Sequence, residues 1–187
     1  KEDLKNISIF SNHITVPAPV EAIMSDENVK IDAFLGPSHV SVITGYQIYE
    51  NLVKTFRTPI AVSGFEPVDI MESVLNIILQ KNAQKAEIYN QYSRVVSRLG
   101  NVKAQNLVQK YFKPCDFEFR GLGLIKNGGL ELREEFARYD ASKLYDCEVK
   151  SRGENKACIC GQILRGLAKP YECKVFGKVC TPKNPIG

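Results

Sequence analysis

Three short apolar runs, each closed by a polar loop and followed by a helix-like stretch, constrain the fold of this chain most. Residues 7–10 end at Ser11-Asn12-His13, and a helix is expected over residues 19–24, where Pro19 suits a first helical turn. Residues 31–35 end at Gly36-Pro37-Ser38-His39, with a helix over residues 48–56. Residues 59–62 end at Ser63-Gly64-Phe65-Glu66. The helix that follows spaces Val68, Met71, Val74, Leu75, Ile78 and Leu79 at a helical period. Short apolar strands alternating with amphipathic helices predict an α/β fold, a three-layer domain with a mostly parallel sheet.

The second half changes character. Residues 101–112 read as a helix stopped by Lys113-Pro114, and Phe117-Glu118-Phe119-Arg120 alternates at period two. The segment continues to Asn127-Gly128-Gly129 and Leu130-Glu131-Leu132-Arg133, which predicts a β-hairpin turning at Asn127-Gly128, where a tight turn needs positive φ. Beyond Tyr145 the chain is rich in Gly, Pro, Lys and Cys and lacks periodicity. Such a segment needs a metal or cross-links to hold it. The expected division is an α/β domain over residues 1–114 and a β-hairpin plus cysteine-rich, loop-rich metal-cluster domain over residues 115–187. The sequence has 187 residues and opens on Lys1, so it reads as part of a longer protein.

Composition excludes several function classes. Hydrophobic residues make up 44% and charged residues 25%, ordinary for a globular chain. The net charge of +4 is mild, and the basic end lacks interleaved aromatics for base stacking, so no nucleic-acid partner is expected. No apolar run reaches the roughly 18 residues of a membrane span, and no signal peptide opens the chain, so no membrane partner is expected. Neither a phosphate-loop lysine motif nor G-x-G-x-x-G after a strand occurs, which weakens any nucleotide-binding reading.

Two features carry chemistry. On a parallel sheet, loops at the C-terminal strand ends form the ligand-binding edge. That edge is expected to carry Asn12 and His13, then Gly36 to His39, then Gly64 to Glu66, and so both histidines of the chain. Glu66 before Pro67 has a plain alternative role, a carboxylate favoured by a helix N-terminus. The sharper signal is C-x-C-x12-C-x6-C, formed by Cys158, Cys160, Cys173 and Cys180. Clustered thiols without a secretory signal argue for a reducing, cytoplasmic compartment and soft-metal ligation. The spacing fits a zinc ribbon poorly and an iron–sulfur site better, with uncommitted thiols as the third reading. Cys115 and Cys147 stand alone and read as incidental.

Several motifs in one order carry a resemblance: Ser11-Asn12-His13, Gly36-Pro37-Ser38-His39-Val40-Ser41, Gly64-Phe65-Glu66-Pro67, and Asn90-Gln91-Tyr92 with Arg94-Val95-Val96. They continue through Phe119-Arg120-Gly121-Leu122-Gly123, Cys158-x-Cys160-Gly161 and Glu172-Cys173 to Cys180-Thr181-Pro182. Together they resemble the HypD family of hydrogenase maturation factors, central and C-terminal portion. The resemblance implies a metallocofactor assembly scaffold with a redox role rather than a metabolic enzyme. Its cargo would be the Fe(CN)2CO iron fragment of [NiFe]-hydrogenases. It also implies two α/β domains facing a cleft, of which residues 1–114 would form one wall, and a loop-rich iron–sulfur domain with a [4Fe-4S] cluster over residues 115–187. A HypC-type chaperone and a HypE-type cyanide donor would be its partners. His39 and Glu66 would face the iron fragment, and Cys158, Cys160, Cys173 and Cys180 are the candidates for the cluster and associated thiols. Ser38 departs from the family's Gly before this histidine. The family's N-terminal domain, with its iron-holding cysteine and C-x-x-C pair, has no counterpart in the sequence. The alternatives are an iron–sulfur oxidoreductase and a zinc-stabilised interaction module.

Overall fold

A computed structural model describes residues 4–146 and 155–186. Cys147 lies outside the described residues. In chain order the elements are β1 (His13–Ile14), α1 (Pro17–Met24), β2 (Phe34–Pro37), α2 (Ser38–Thr44), α3 (Glu50–Phe56), β3 (Ile60–Ser63) and α4 (Pro67–Asn82). Then follow β4 (Ile88–Asn90), α5 (Val102–Tyr111), β5 (Phe112–Phe119), β6 (Gly123–Leu132), α6 (Ala141–Leu144) and α7 (Cys160–Leu164). The chain forms two compact units, one of residues 30–108 and one of residues 1–29 with 109–187.

The unit of residues 30–108 holds a parallel sheet in the order β2-β3-β4, as the apolar runs predict for its first two strands. Phe34 pairs with Ile60 and Pro37 with Ser63, so β2 and β3 end in register. All four residues of β3 are buried, as expected for a central strand covered on both faces. Tyr49, Leu52, Val53, Ile60, Ala61, Val62 and Val96 form the core.

Two expectations are corrected here. The 7–10 run does not join this sheet; the third strand is β4, and Ile9 makes only an isolated bridge to Asp140. Helix α4 forms as its periodicity predicts, but its apolar stripe does not pack inward. Val68, Met71, Leu75 and Leu79 are 55–72% exposed, while the buried positions are Asp69, Ser73 and Gln80. The inward contacts are polar: Ser73 Oγ donates to the Asp69 carbonyl at 2.8 Å, and Gln80 accepts from the Glu87 N–H at 2.8 Å.

The other unit is built on an antiparallel sheet, β1-β6-β5, with α1 packed against β6. The hairpin exists, but its turn is not at Asn127-Gly128. Phe119 pairs with Gly123, and the chain reverses at Arg120-Gly121-Leu122, where Gly121 and Gly123 take φ of 77° and 79°. Asn127 does adopt positive φ, 56°, but inside β6, where its N–H donates to Asp116 Oδ1 at 3.0 Å beside the register shift between Cys115 and Phe117. Its conformation serves a bulge. Pro114 does not end the preceding helix; it lies inside β5, an edge strand, where a missing N–H is tolerated.

Candidate functional site

Because β2 and β3 are adjacent and end in register, the loops after them meet at one sheet edge. His39 is the second residue of α2, directly beyond β2. Glu66 occupies the N-cap position of α4 in an extended conformation (φ −74°, ψ 150°) without a side-chain capping bond, and Pro67 takes the first helical position. The His39 ring lies 5.2 Å from the Phe65 ring, tilted by 37°. Both His39 and Glu66 are exposed. The edge therefore offers an imidazole and a carboxylate to solvent, a pair able to accept, donate and relay protons. His13 belongs elsewhere: it sits in β1 opposite Leu130, with its ring edge-on to Phe112 at 5.2 Å and Nδ1 3.1 Å from Ser11 Oγ. The expected single edge with two histidines is not formed.

Next to the exposed pair a polar brace converges on one buried carboxylate. Asp69, whose side chain is only 8% exposed, takes a two-pronged contact from Arg94, Nη1 to Oδ1 at 3.2 Å and Nη2 to Oδ2 at 2.9 Å. Gln91 Nε2 donates to Asp69 Oδ1 at 2.7 Å, and Gln91 Oε1 accepts the Gly64 N–H at 3.2 Å. The Arg94 guanidinium lies 3.9 Å above the Tyr92 ring. Arg94 holds the Asp69 carboxyl below the usual carboxylate range, against the opposing effect of burial, with help from Gln91 and the Glu66 backbone N–H. Glu72 is likewise lowered, first by Tyr89 and then by Gln91. A Cβ at Gly64 would stand 2.0 Å from Asp69 Oδ2 and 2.7 Å from the Tyr92 ring, so only glycine fits this close approach. The sequence marks Gln91 and Arg94 within a motif but assigns them no role, and it does not single out Asp69.

The cysteine segment packs on the hairpin turn. Gly161 follows Cys160, and a Cβ there would come 2.4 Å from the Gly121 carbonyl oxygen, so two glycines let the backbones touch. Arg120, Gly121, Asn155, Cys158, Cys160 and Ile186 line a small hollow of about 20 Å³. The Cys160 thiol is pushed up to about 11, first by its hydrogen bond with Cys158, then by burial and the nearby Cys158, Cys173 and Cys180. Cys173 is buried, and its thiol is lowered chiefly by the Val175 N–H, with Ile159 and Phe176 adding to it. The Ile186 N–H reaches Cys180 Sγ at 3.4 Å. Arg165, just after α7, pairs with Asp26 at 3.3 Å, tying the segment to the turn that follows α1.

All four expected cysteines thus enter one electrostatic neighbourhood, and their all-sulfur donor set suits iron–sulfur or zinc chemistry. Among the described residues, no three His, Cys, Asp or Glu side chains stand in a geometry that could already hold a metal ion. Cys115 lies apart on β5, its thiol raised by burial.

Comparison with known proteins agrees with this arrangement of motifs. The family described as HypD, hydrogenase formation hypA family, matches residues 1–187. The hydrogenase maturation factor HypD of Rhizobium leguminosarum bv. viciae is 45% identical over 191 residues, covering 98% of this chain and 50% of the relative. HypD of Azotobacter vinelandii is 41% identical, covering 98% of this chain and 50% of the relative. HypD of Rhodobacter capsulatus is 38% identical, covering 100% and 51%. The chain spans about half the length of these curated relatives. A match along its whole length, at such identity, makes this chain a member of the HypD family of hydrogenase formation proteins.

Proposed function

We propose that this chain forms part of a scaffold on which the Fe(CN)2CO fragment of [NiFe]-hydrogenases is assembled, with that iron fragment as cargo. The observation that carries the reading is the meeting of His39 with Phe65-Glu66 at the C-terminal edge of a parallel sheet, in a chain whose relatives are named hydrogenase maturation factors. An exposed imidazole beside a helix-terminal carboxylate suits a role at the cargo, accepting and returning protons while its ligands are delivered. Cys158, Cys160, Cys173 and Cys180 are proposed to supply thiolates for a [4Fe-4S] cluster, not every one necessarily as a ligand. Such a cluster would supply one-electron chemistry. A HypC-type chaperone and a HypE-type cyanide donor are the proposed partners, in a cytoplasmic setting that keeps thiols reduced.

The test is hydrogenase maturation in a host lacking its own family member, complemented with the natural full protein carrying His39→Ala or Glu66→Ala. Each change is expected to lower hydrogenase activity on the order of a hundredfold, the scale of a lost proton-handling group, while thermal unfolding stays near wild type. Normal maturation with both residues changed overturns the reading.

A further inference from the structure

Glu66 and His39 are exposed, and an exposed loop alone would not hold them in one geometry. Four interactions instead converge on a single buried carboxylate in the first turn of α4. Asp69 receives Gln91 Nε2 at 2.7 Å and Arg94 Nη1 and Nη2 at 3.2 and 2.9 Å. It also receives the backbone N–H of Glu66 itself. Asp69 is the third helical residue of α4 counted from Glu66 as cap, so this last contact is the backward half of a capping box. Gln91 holds the Gly64 N–H from the other side, and the Ser63 hydroxyl donates to the Gly64 carbonyl at 2.8 Å and the Asp69 carbonyl at 3.3 Å. Gly64, Glu66 and Asp69 are thereby bound to the segment after β4, with Phe65 left projecting toward the His39 ring.

A brace needed only for stability has no reason to grip the loop at these points. The helix end alone would be satisfied by a capping side chain at one position. Here a two-pronged Arg–carboxylate contact, which fixes orientation as well as distance, ends on the group that holds the Glu66 backbone. A displacement near 1 Å of a reacting group can cost on the order of a hundredfold in rate. We propose that Asp69, Gln91 and Arg94 are positioning residues that set Glu66 and Phe65 against His39. This inference rests on the proposed role of His39 and Glu66.

The experiment uses the natural full protein with Asp69→Asn or Arg94→Lys. Asn keeps the shape but not the charge, and Lys keeps the charge but not the fork. Two readouts are taken: hydrogenase maturation in the complemented host, and the NMR signal of the His39 ring, which senses the ring current of Phe65. Positioning predicts that Arg94→Lys shifts the His39 signal and lowers maturation on the order of tenfold or more, with unfolding still cooperative. Asp69→Asn should do the same where it folds; Arg94, whose side chain is half-exposed, gives the variant that keeps the test decisive. An unmoved His39 signal, or a moved signal with wild-type maturation, overturns the proposal. Loss of maturation in His39→Ala and Glu66→Ala with full maturation in Arg94→Lys sinks positioning alone. Normal maturation in the two alanine variants sinks the site reading beneath it.

Discussion

Asp69 carries a pH dependence whose sign follows from its partners. Its folded carboxyl titrates below the ordinary range, first because of Arg94. A group depressed in this way contributes stability that is fully present above its unfolded value, about 4, and is lost as pH falls through the folded value. Glu50, Glu72 and Glu134 are lowered as well by exposed partners and act in the same direction. The difference between wild type and Asp69→Asn isolates Asp69. Thermal midpoints measured from pH 7 to pH 2 should show the largest gap at neutral pH, closing below about pH 4. A gap independent of pH would assign the loss to shape rather than charge. Gly64→Ala should destabilise by about 1–3 kcal/mol, the usual scale of overpacking, because its Cβ would strike Asp69 and Tyr92. At this scale the sequence is only partly legible. Gly64-Phe65-Glu66-Pro67 and Gln91 with Arg94 stand out as motifs, yet their meeting depends on β3 pairing with β4, Val62 opposite Asn90, a register no local pattern carries.

Helix α4 shows what periodicity does and does not determine. The spacing of its apolar residues identifies a helix, and Pro67–Asn82 is helical. Periodicity alone does not say which face meets the sheet, and here Asp69, Ser73 and Gln80 turn inward because their hydrogen bonds are satisfied there. Met71, 71% exposed, should therefore tolerate Met71→Lys in this chain within about 0.5 kcal/mol, whereas Ser73→Leu, at a fully buried position, should cost about 1–3 kcal/mol. Chemical denaturation of the two variants checks this, and a large loss from Met71→Lys would mean that the stripe is covered. Apolar stretches this exposed are where partner contacts commonly form. The hairpin teaches a related lesson. Asn127 takes the positive φ that its type suggests, but a bulge in a strand and a turn at its end make the same local demand. Two further sequence motifs, Gly121 at the turn and Gly161 beside Cys160, are brought together by the fold of the unit. Gly161→Ala should push the cysteine segment off the hairpin. Alkylation of Cys158 and Cys160 should then accelerate while that of Cys115 stays constant, and equal rates in variant and wild type would refute the contact.

At the scale of the whole molecule, the sequence reads most clearly where its signals are local and compositional. The parallel sheet, the two-stranded antiparallel ribbon and the concentration of thiols were all accessible in that way. The chain's return was not: β1 pairs with β6, and the compact unit holding the cysteine segment also takes in residues 1–29. Among the described residues no helix is long and apolar enough to cross a membrane. The cysteine segment is short of apolar contacts of its own, so its order should depend on what the thiols bind. After anaerobic reconstitution the chain is expected to bind iron with acid-labile sulfide, and the segment's amide exchange should slow when it does. Replacing Cys160 and Cys173 together by Ser should abolish iron and sulfide uptake, while Cys115→Ser, remote on β5, should retain both. Zinc without sulfide would replace the cluster by a structural site, leaving the chain's family membership and the His39–Glu66 edge untouched. Iron retained by the double variant would instead remove these two thiols from the ligand set and turn attention to Cys158 and Cys180, the other two thiols that Cys160 senses.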